Sequence, residues 1–164
     1  MSFYDSLEVG KTAELKAEQY FNDNGFKYTD VRNDKQYQLN DIDYIVEGLG
    51  TVEVKQNLTD AMKGRQGRFI WIELSVGNKD GWWYKSTTDY FLFFNCDNDF
   101  ILIPNNETFK NIVNDAIENG DHSEIGINRF DYKYDKRYNR FIKATCMRLY
   151  LDILKTKMRI IKRK

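Results

Sequence analysis

"DIDYIVEGLGTVEVK", residues 41–55, decides how this chain is read. Apolar and polar residues alternate on both sides of Gly48 and Gly50, the pattern of two half-buried strands joined by a tight turn. Ile42, Tyr44, Val46, Val52 and Val54 fall on one face; Asp41, Asp43, Glu53 and Lys55 fall on the other. Charge on a strand that is otherwise apolar is costly unless something compensates it. The segment therefore predicts a partner for these charges, and a metal ion is the leading candidate.

Spacing carries more information here than residue type. With nine Glu and 16 Lys in 164 residues, about one Glu-x-Lys match arises by chance. The chain has two, Glu14-Leu15-Lys16 and Glu53-Val54-Lys55. On a helix, residues i and i+2 point roughly 200° apart, so Glu14 and Lys16 cannot converge. On a strand they share a face about 6.5 Å apart, so Glu53 and Lys55 can. With Gly48-Leu49-Gly50 read as a three-residue loop, Glu47 faces Thr51, Ile45 faces Glu53 and Asp43 faces Lys55. Two carboxylates on adjacent strands offer the oxygen ligands that suit Mg²⁺, with Mn²⁺ as a substitute; water and phosphate oxygens fill the remaining positions. A lysine beside such an ion can orient a water or hold a phosphate. The competing reading is a solvated sheet face crossed by salt bridges.

Working outward, residues 7–24 read as a helix, with Val9, Ala13, Ala17, Tyr20 and Phe21 at helical spacing and Gly25 after its end. Glu14 lies at the edge of that apolar arc, where it can reach a sheet face without full burial. Residues 26–31 form a short strand and residues 32–40 a polar connection. Residues 68–76 are a strand rich in β-branched and aromatic residues. "GNKDGWWYKSTT", residues 77–88, is a loop with an aromatic cluster: either it folds onto the sheet, or Trp82, Trp83 and Tyr84 stack on bases with Lys85 on a phosphate. "DYFLFFN" and "FILIP" make a hairpin ended by Pro104, residues 107–120 a helix, and a last helix begins near Arg140. Helix, several strands, then helices predict an α/β domain with a mixed central sheet flanked by helices.

Composition narrows the chemistry. The length suits one domain, here 1–164 with a basic C-terminal helix and tail over 140–164. No apolar run reaches the ~18 residues of a membrane span, and the first residues show no signal pattern, so a cytoplasmic protein without a membrane partner is expected. Cys96 and Cys146 are too few for a disulfide framework. His122, the one histidine, sits in a loop, so chemistry must run on carboxylates, lysine, hydroxyls and water. Net charge is zero, yet residues 129–164 hold 13 Lys or Arg against 3 Asp, leaving −10 on residues 1–128. The tail "KTKMRIIKRK" is then either a solvated end or a phosphate-binding arm. Lys63, Arg65 and Arg68 follow the central motif and either line a nucleic-acid path or form a plain surface turn.

An aspartate and a Glu-x-Lys across a hairpin, preceded by a glutamate on a helix, resemble the PD-(D/E)xK nucleases, which include restriction endonucleases and archaeal-type Holliday junction resolvases. The resemblance spans roughly residues 7–95 and rests on Glu14, Asp43, Glu53 and Lys55. It implies a restriction-endonuclease-like fold and a Mg²⁺-dependent DNA nuclease, with a branched-DNA resolvase as one form. A catalytically silent nucleic-acid-binding module of the same fold is the alternative. The resemblance also implies that Asp43 and Glu53 bind metal, that Lys55 is the catalytic lysine and that Glu14 assists the metal. Gln56 sits where members often carry a polar residue near the phosphate. No proline precedes the aspartate, and Asp41-Ile42-Asp43 leaves two choices. Asp43 is preferred because it begins the apolar run and can face Lys55, with Asp41 as the fallback. DNA is the implied partner, and a homodimer is the implied form for cutting two strands.

Overall fold

Alternation in residues 44–55 builds the centre of a sheet. The computed structural model describes residues 14–56, 58–59, 69–94, 100–119, 127–135 and 140–157. Their order is helix α1 (14–23), then β1 (Tyr28–Asp30), α2 (Lys35–Gln38), β2 (Tyr44–Val46), β3 (Gly50–Lys55), β4 (Leu58–Thr59), β5 (Phe69–Val76), β6 (Lys79–Asp80) and α3 (Trp82–Lys85). There follow β7 (Tyr90–Phe94), β8 (Phe100–Pro104), α4 (Glu107–Asn119), β9 (Ile127–Asp135), β10 (Arg140–Tyr150) and α5 (Leu151–Lys157). The chain is mixed α/β, with helices packed on sheets, and it divides into two compact units.

The first unit comprises residues 1–57, 86–106 and 160–164. Its sheet has the order β1-β2-β3-β7-β8. All neighbours are antiparallel except β3 and β7, which run parallel, so the sheet is mixed. A parallel pair cannot be joined by a tight turn, and the chain between Lys55 and Tyr90 supplies the long connection. One face of the sheet buries Tyr44, Val46, Val52, Leu92 and Leu102 against Ala17, Tyr20 and Phe21 of α1. Each large apolar side chain among them, fully removed from water, contributes about 1.5–3 kcal/mol. Tyr28 and Tyr44 meet Phe21 at 5.2 Å between ring centroids, which seals α1 onto β1 and β2.

The expected hairpin forms, but its register differs by one pair. Tyr44 lies opposite Val52, Ile45 opposite Thr51 and Val46 opposite Gly50. The three-residue loop is therefore Glu47-Gly48-Leu49, not Gly48-Leu49-Gly50. Glu47 does not face Thr51, Ile45 does not face Glu53, and the paired register ends at Tyr44, so the expected pairing of Asp43 with Lys55 is not formed; the Asp43 N–H instead donates to Val52 O. A contact from outside the hairpin, from Asp89 just ahead of β7, holds the start of β3. Gly50 has φ 99° and opens β3 hard against Asp89, whose carboxylate accepts the Thr51 N–H and the Thr51 hydroxyl, both at 2.8 Å. A side chain on Gly50 would run into that carboxylate. The shift moves the pairing by two residues in total, so every side chain keeps its predicted face.

The second unit comprises residues 58–85 and 107–159. Its sheet has the order β4-β5-β10-β9, with β6 paired to β5, all antiparallel. Ile70, Ile72, Met147 and Leu149 are fully buried, and Phe109 and Val113 of α4 are buried with them. Two expectations are corrected here. Residues 140–150 are a strand, and helix begins only at Leu151. β10 is flanked on both sides by partners, and pairing of this kind overrides the helical spacing of its apolar residues. The aromatic segment is the short helix α3, whose Trp82 and Trp83 are buried. Trp83 meets Phe109 edge to face at 5.6 Å, so both indoles belong to the core and are not available to stack on bases. Lys85 and Tyr84 remain exposed. The polar connection 32–40 contains α2, capped by the Asp34 carboxylate accepting the Gln36 N–H at 2.9 Å. Lys63, Arg65, Arg68 and the tail beyond 157 lie outside the described residues.

Candidate active site

Strand β3 delivers the central pair. Glu53 and Lys55 occupy one face of it, and their parallel neighbours on β7 are Phe91 and Phe93. Both rings are buried. The Glu53 side chain is thus placed in an apolar setting: the residue is 1% exposed. Its counter-charge is the Lys55 ammonium, in direct ion-pair contact. Burial pushes the Glu53 carboxyl up to about 7, against the opposing pull of Lys55 and of the Ser86 hydroxyl. Desolvation is the larger effect because an ionised carboxylate beside phenyl rings loses its water.

Asp43 stands at the entry to β2. Its N–H donates to Val52 O at 3.0 Å, and its carbonyl accepts the Val31 N–H at 3.1 Å. Its carboxylate accepts the Val54 N–H at 2.7 Å. That last bond reaches across the hairpin to the residue between Glu53 and Lys55, which fixes Asp43 beside the pair. Burial raises the Asp43 carboxyl above its usual value, while the Val54 N–H, Lys55 and Arg32 draw it down and Asp41 raises it further. Asp41 also raises Glu53, so it lies within electrostatic range of both acids. Its backbone is left-handed, φ 53°, a conformation that aspartate tolerates better than most residues.

Glu14 goes elsewhere. It lies on α1, which covers the Tyr44 and Val52 face of the sheet, and its carboxylate pairs with Arg32 at 2.7 Å. Arg32 also holds Glu18 at 3.0 Å and Asp30 at 2.7 Å. The guanidinium lies 5.0 Å from the centre of the Tyr44 ring. The hydrogen bonds it donates to Asp30 hold its pKa well above even the ordinary range. The structure therefore brings together Asp43, Glu53 and Lys55, with Asp41 in electrostatic range. It ties Glu14 to Arg32 and leaves Gln56, half-buried, next in the chain after Lys55. Sequence reasoning passed over Arg32 and Ser86. Arg32 had a local signal, a lone arginine two residues after Asp30 in "TDVRND"; Ser86 had none, being far from Glu53 in sequence.

No group of three or more His, Cys, Asp or Glu side chains able to hold an ion is formed among the described residues. A divalent ion at this place would be held by Asp43 and Glu53. Two carboxylates completed by water and phosphate oxygens is an ordinary arrangement for Mg²⁺. The donor set fits it: the Glu53 carboxylate is buried beside Asp43, and Asp43 is oriented by a backbone N–H in the way that outer partners orient metal-binding carboxylates. No described helix is long and apolar enough to cross a membrane. Compared with family models, with curated proteins and with solved structures, the chain matches none of them significantly.

Proposed function

We propose that this chain is a Mg²⁺-dependent DNA nuclease of restriction-endonuclease-like fold, hydrolysing phosphodiester bonds at the β2–β3 hairpin. One observation carries the reading: a fully buried glutamate and a lysine share a strand face, with an aspartate locked beside them by a cross-hairpin hydrogen bond. A buried carboxylate whose ionised form is so disfavoured is hard to explain as part of a solvated sheet face. It suits a ligand that a divalent ion would share with Asp43.

Asp43 and Glu53 would hold the ion, which when bound neutralises charge on the scissile phosphate and acidifies a water in its reach. Lys55 supplies the mobile positive charge. Its ammonium pairs with Glu53 and, with a phosphate present, shifts to a non-bridging phosphate oxygen or orients the attacking water. Phe91 and Phe93 exclude water from one side and so strengthen each of these electrostatic contacts. Gln56, one residue on, would contact the sugar–phosphate chain.

The test is incubation with supercoiled, linear, single-stranded and four-way-junction DNA, each with Mg²⁺, with Mn²⁺ and with EDTA. The reading expects cleavage of at least one substrate with metal and none with EDTA. Cleavage of the junction alone would identify a resolvase. Intact DNA in every arm, with folded protein at high concentration, would remove the assignment.

A further inference from the structure

The sheet of the second unit has two unlike faces. On β5 and β10, Ile70, Ile72, Met147 and Leu149 are fully buried. The residues that alternate with them, Trp71, Glu73, Cys146, Arg148 and Tyr150, all keep partial exposure. An antiparallel sheet packed on one side and solvated on the other gives this pattern, and its solvated side is normally polar. Here that side is largely aromatic. Tyr150 lies opposite Phe69, and Arg148 opposite Trp71. Phe69 meets Trp71 at 5.3 Å and Tyr150 at 5.8 Å between ring centroids, both edge to face. The Arg148 guanidinium lies 5.7 Å from the centre of the Phe69 ring and 5.9 Å from that of Trp71. Phe69 itself is 4% exposed among these three neighbours, so Trp71, Tyr150 and Arg148 supply the outer surface. Glu73, opposite Cys146, bounds the group at one end.

Charge decides which partner suits this surface. The second unit holds 16 Lys or Arg against 11 Asp or Glu, and the first holds 9 against 14. The net charge of zero is thus +5 on one unit and −5 on the other, and a polyanion is drawn to the second unit. An arginine lying over aromatic rings offers a planar fork that fits a phosphate. Trp and Tyr rings stack on the bases of an unpaired strand. Bases inside a duplex are already stacked on one another and cannot reach the rings. An uncharged sugar or an apolar peptide would use the rings and leave the charge unused. We propose that the β5–β10 face centred on Phe69 binds a single-stranded segment of nucleic acid, with bases on Trp71 and Tyr150 and a phosphate on Arg148. All its residues belong to the second unit, whereas Asp43, Glu53 and Lys55 belong to the first, and it does not rest on the metal-dependent reading above.

The experiment is fluorescence anisotropy of a labelled oligothymidine and of a labelled duplex of equal length, titrated with the full chain at several salt concentrations. EDTA is present throughout, so the result is independent of cleavage and of any metal. Wild type, Trp71→Leu, Tyr150→Leu and Arg148→Gln are compared, with circular dichroism of each. Leucine keeps the apolar packing of the rings and cannot stack on a base, and Tyr150→Leu gives the same readout from β10 should Trp71→Leu unfold. Stacking predicts that each leucine variant weakens oligothymidine binding about tenfold or more, with the salt slope unchanged and duplex binding unmoved. Arg148→Gln should flatten the slope of log affinity against log salt by about 0.7, the share of one phosphate in a single strand. Wild-type oligothymidine affinity in the folded leucine variants overturns the inference. So does an equal loss of duplex affinity, which would mark a general effect on a basic surface. Absence of oligothymidine binding by the wild-type chain overturns it as well, and leaves the reading of the Asp43, Glu53 and Lys55 site to its own test.

Discussion

Replacing Glu53 by Gln should make the fold more stable at alkaline pH while destroying the metal site. The carboxyl has its ordinary value of 4.5 when unfolded and about 7 when folded. Between those values the folded chain keeps a proton that the unfolded chain has lost. The stability contributed by this group is therefore complete below pH 4.5 and falls as pH rises through 7. The gap corresponds to about 3 kcal/mol. Gln cannot ionise, so the difference in unfolding free energy between Glu53→Gln and wild type should grow by about that amount from acid to alkaline pH. Urea unfolding of both proteins over that range, without divalent metal, measures it. Saturating Mg²⁺ should restore wild type at alkaline pH, by about 2.7 kcal/mol at a hundred times the dissociation constant, and leave Glu53→Gln unmoved. Parallel stability curves for the two proteins across pH would refute the argument, since they would mean that Glu53 is ionised at no cost. The Lys55 ion pair and the Ser86 hydroxyl would then outweigh the Phe91 and Phe93 surroundings.

Lys55→Ala should reduce Mg²⁺-dependent cleavage by at least a hundredfold, because it removes the ammonium that pairs with Glu53 and would meet the phosphate, with circular dichroism checking that the variant is folded; a wild-type rate in a quantitative gel assay would remove Lys55 from the site. Asp43→Asn should harm cleavage far more than Asp41→Asn, since only Asp43 is locked to Val54 across the hairpin; the reverse order would transfer the ligand role to Asp41. Gly50→Ala should destabilise the fold by about 1–3 kcal/mol, because φ 99° is strained for any side chain and the new methyl meets Asp89; a melting temperature within a degree or so of wild type would show that the β3–β7 latch is loose.

Much of the site was legible because strand periodicity is local. Alternation over residues 42–54 is enough to separate Tyr44, Val46 and Val52 from Glu53 and Lys55, and no later contact reverses it. The same local rule separates Glu53-x-Lys55 from Glu14-x-Lys16. The pairing register was not legible, because the start of β3 is held by Asp89, a residue separated from Gly50 by the 58–85 segment of the second unit. The fate of Glu14 was hidden for a related reason: its position on the helix is periodic, but its partner Arg32 is brought to it by the β1–β2 meander. Residues 140–150 read as helix because their apolar spacing suits either state, and only the flanking strands β5 and β9 select the extended form. Sequence by itself determined which side chains share a face, since that follows from backbone geometry over a few residues. Tertiary structure decided what each face meets: phenyl rings beside Glu53, and an arginine on Glu14. The acidity of one carboxylate and the placement of the other are energies of encounter between distant segments, and they exist only once the chain has closed.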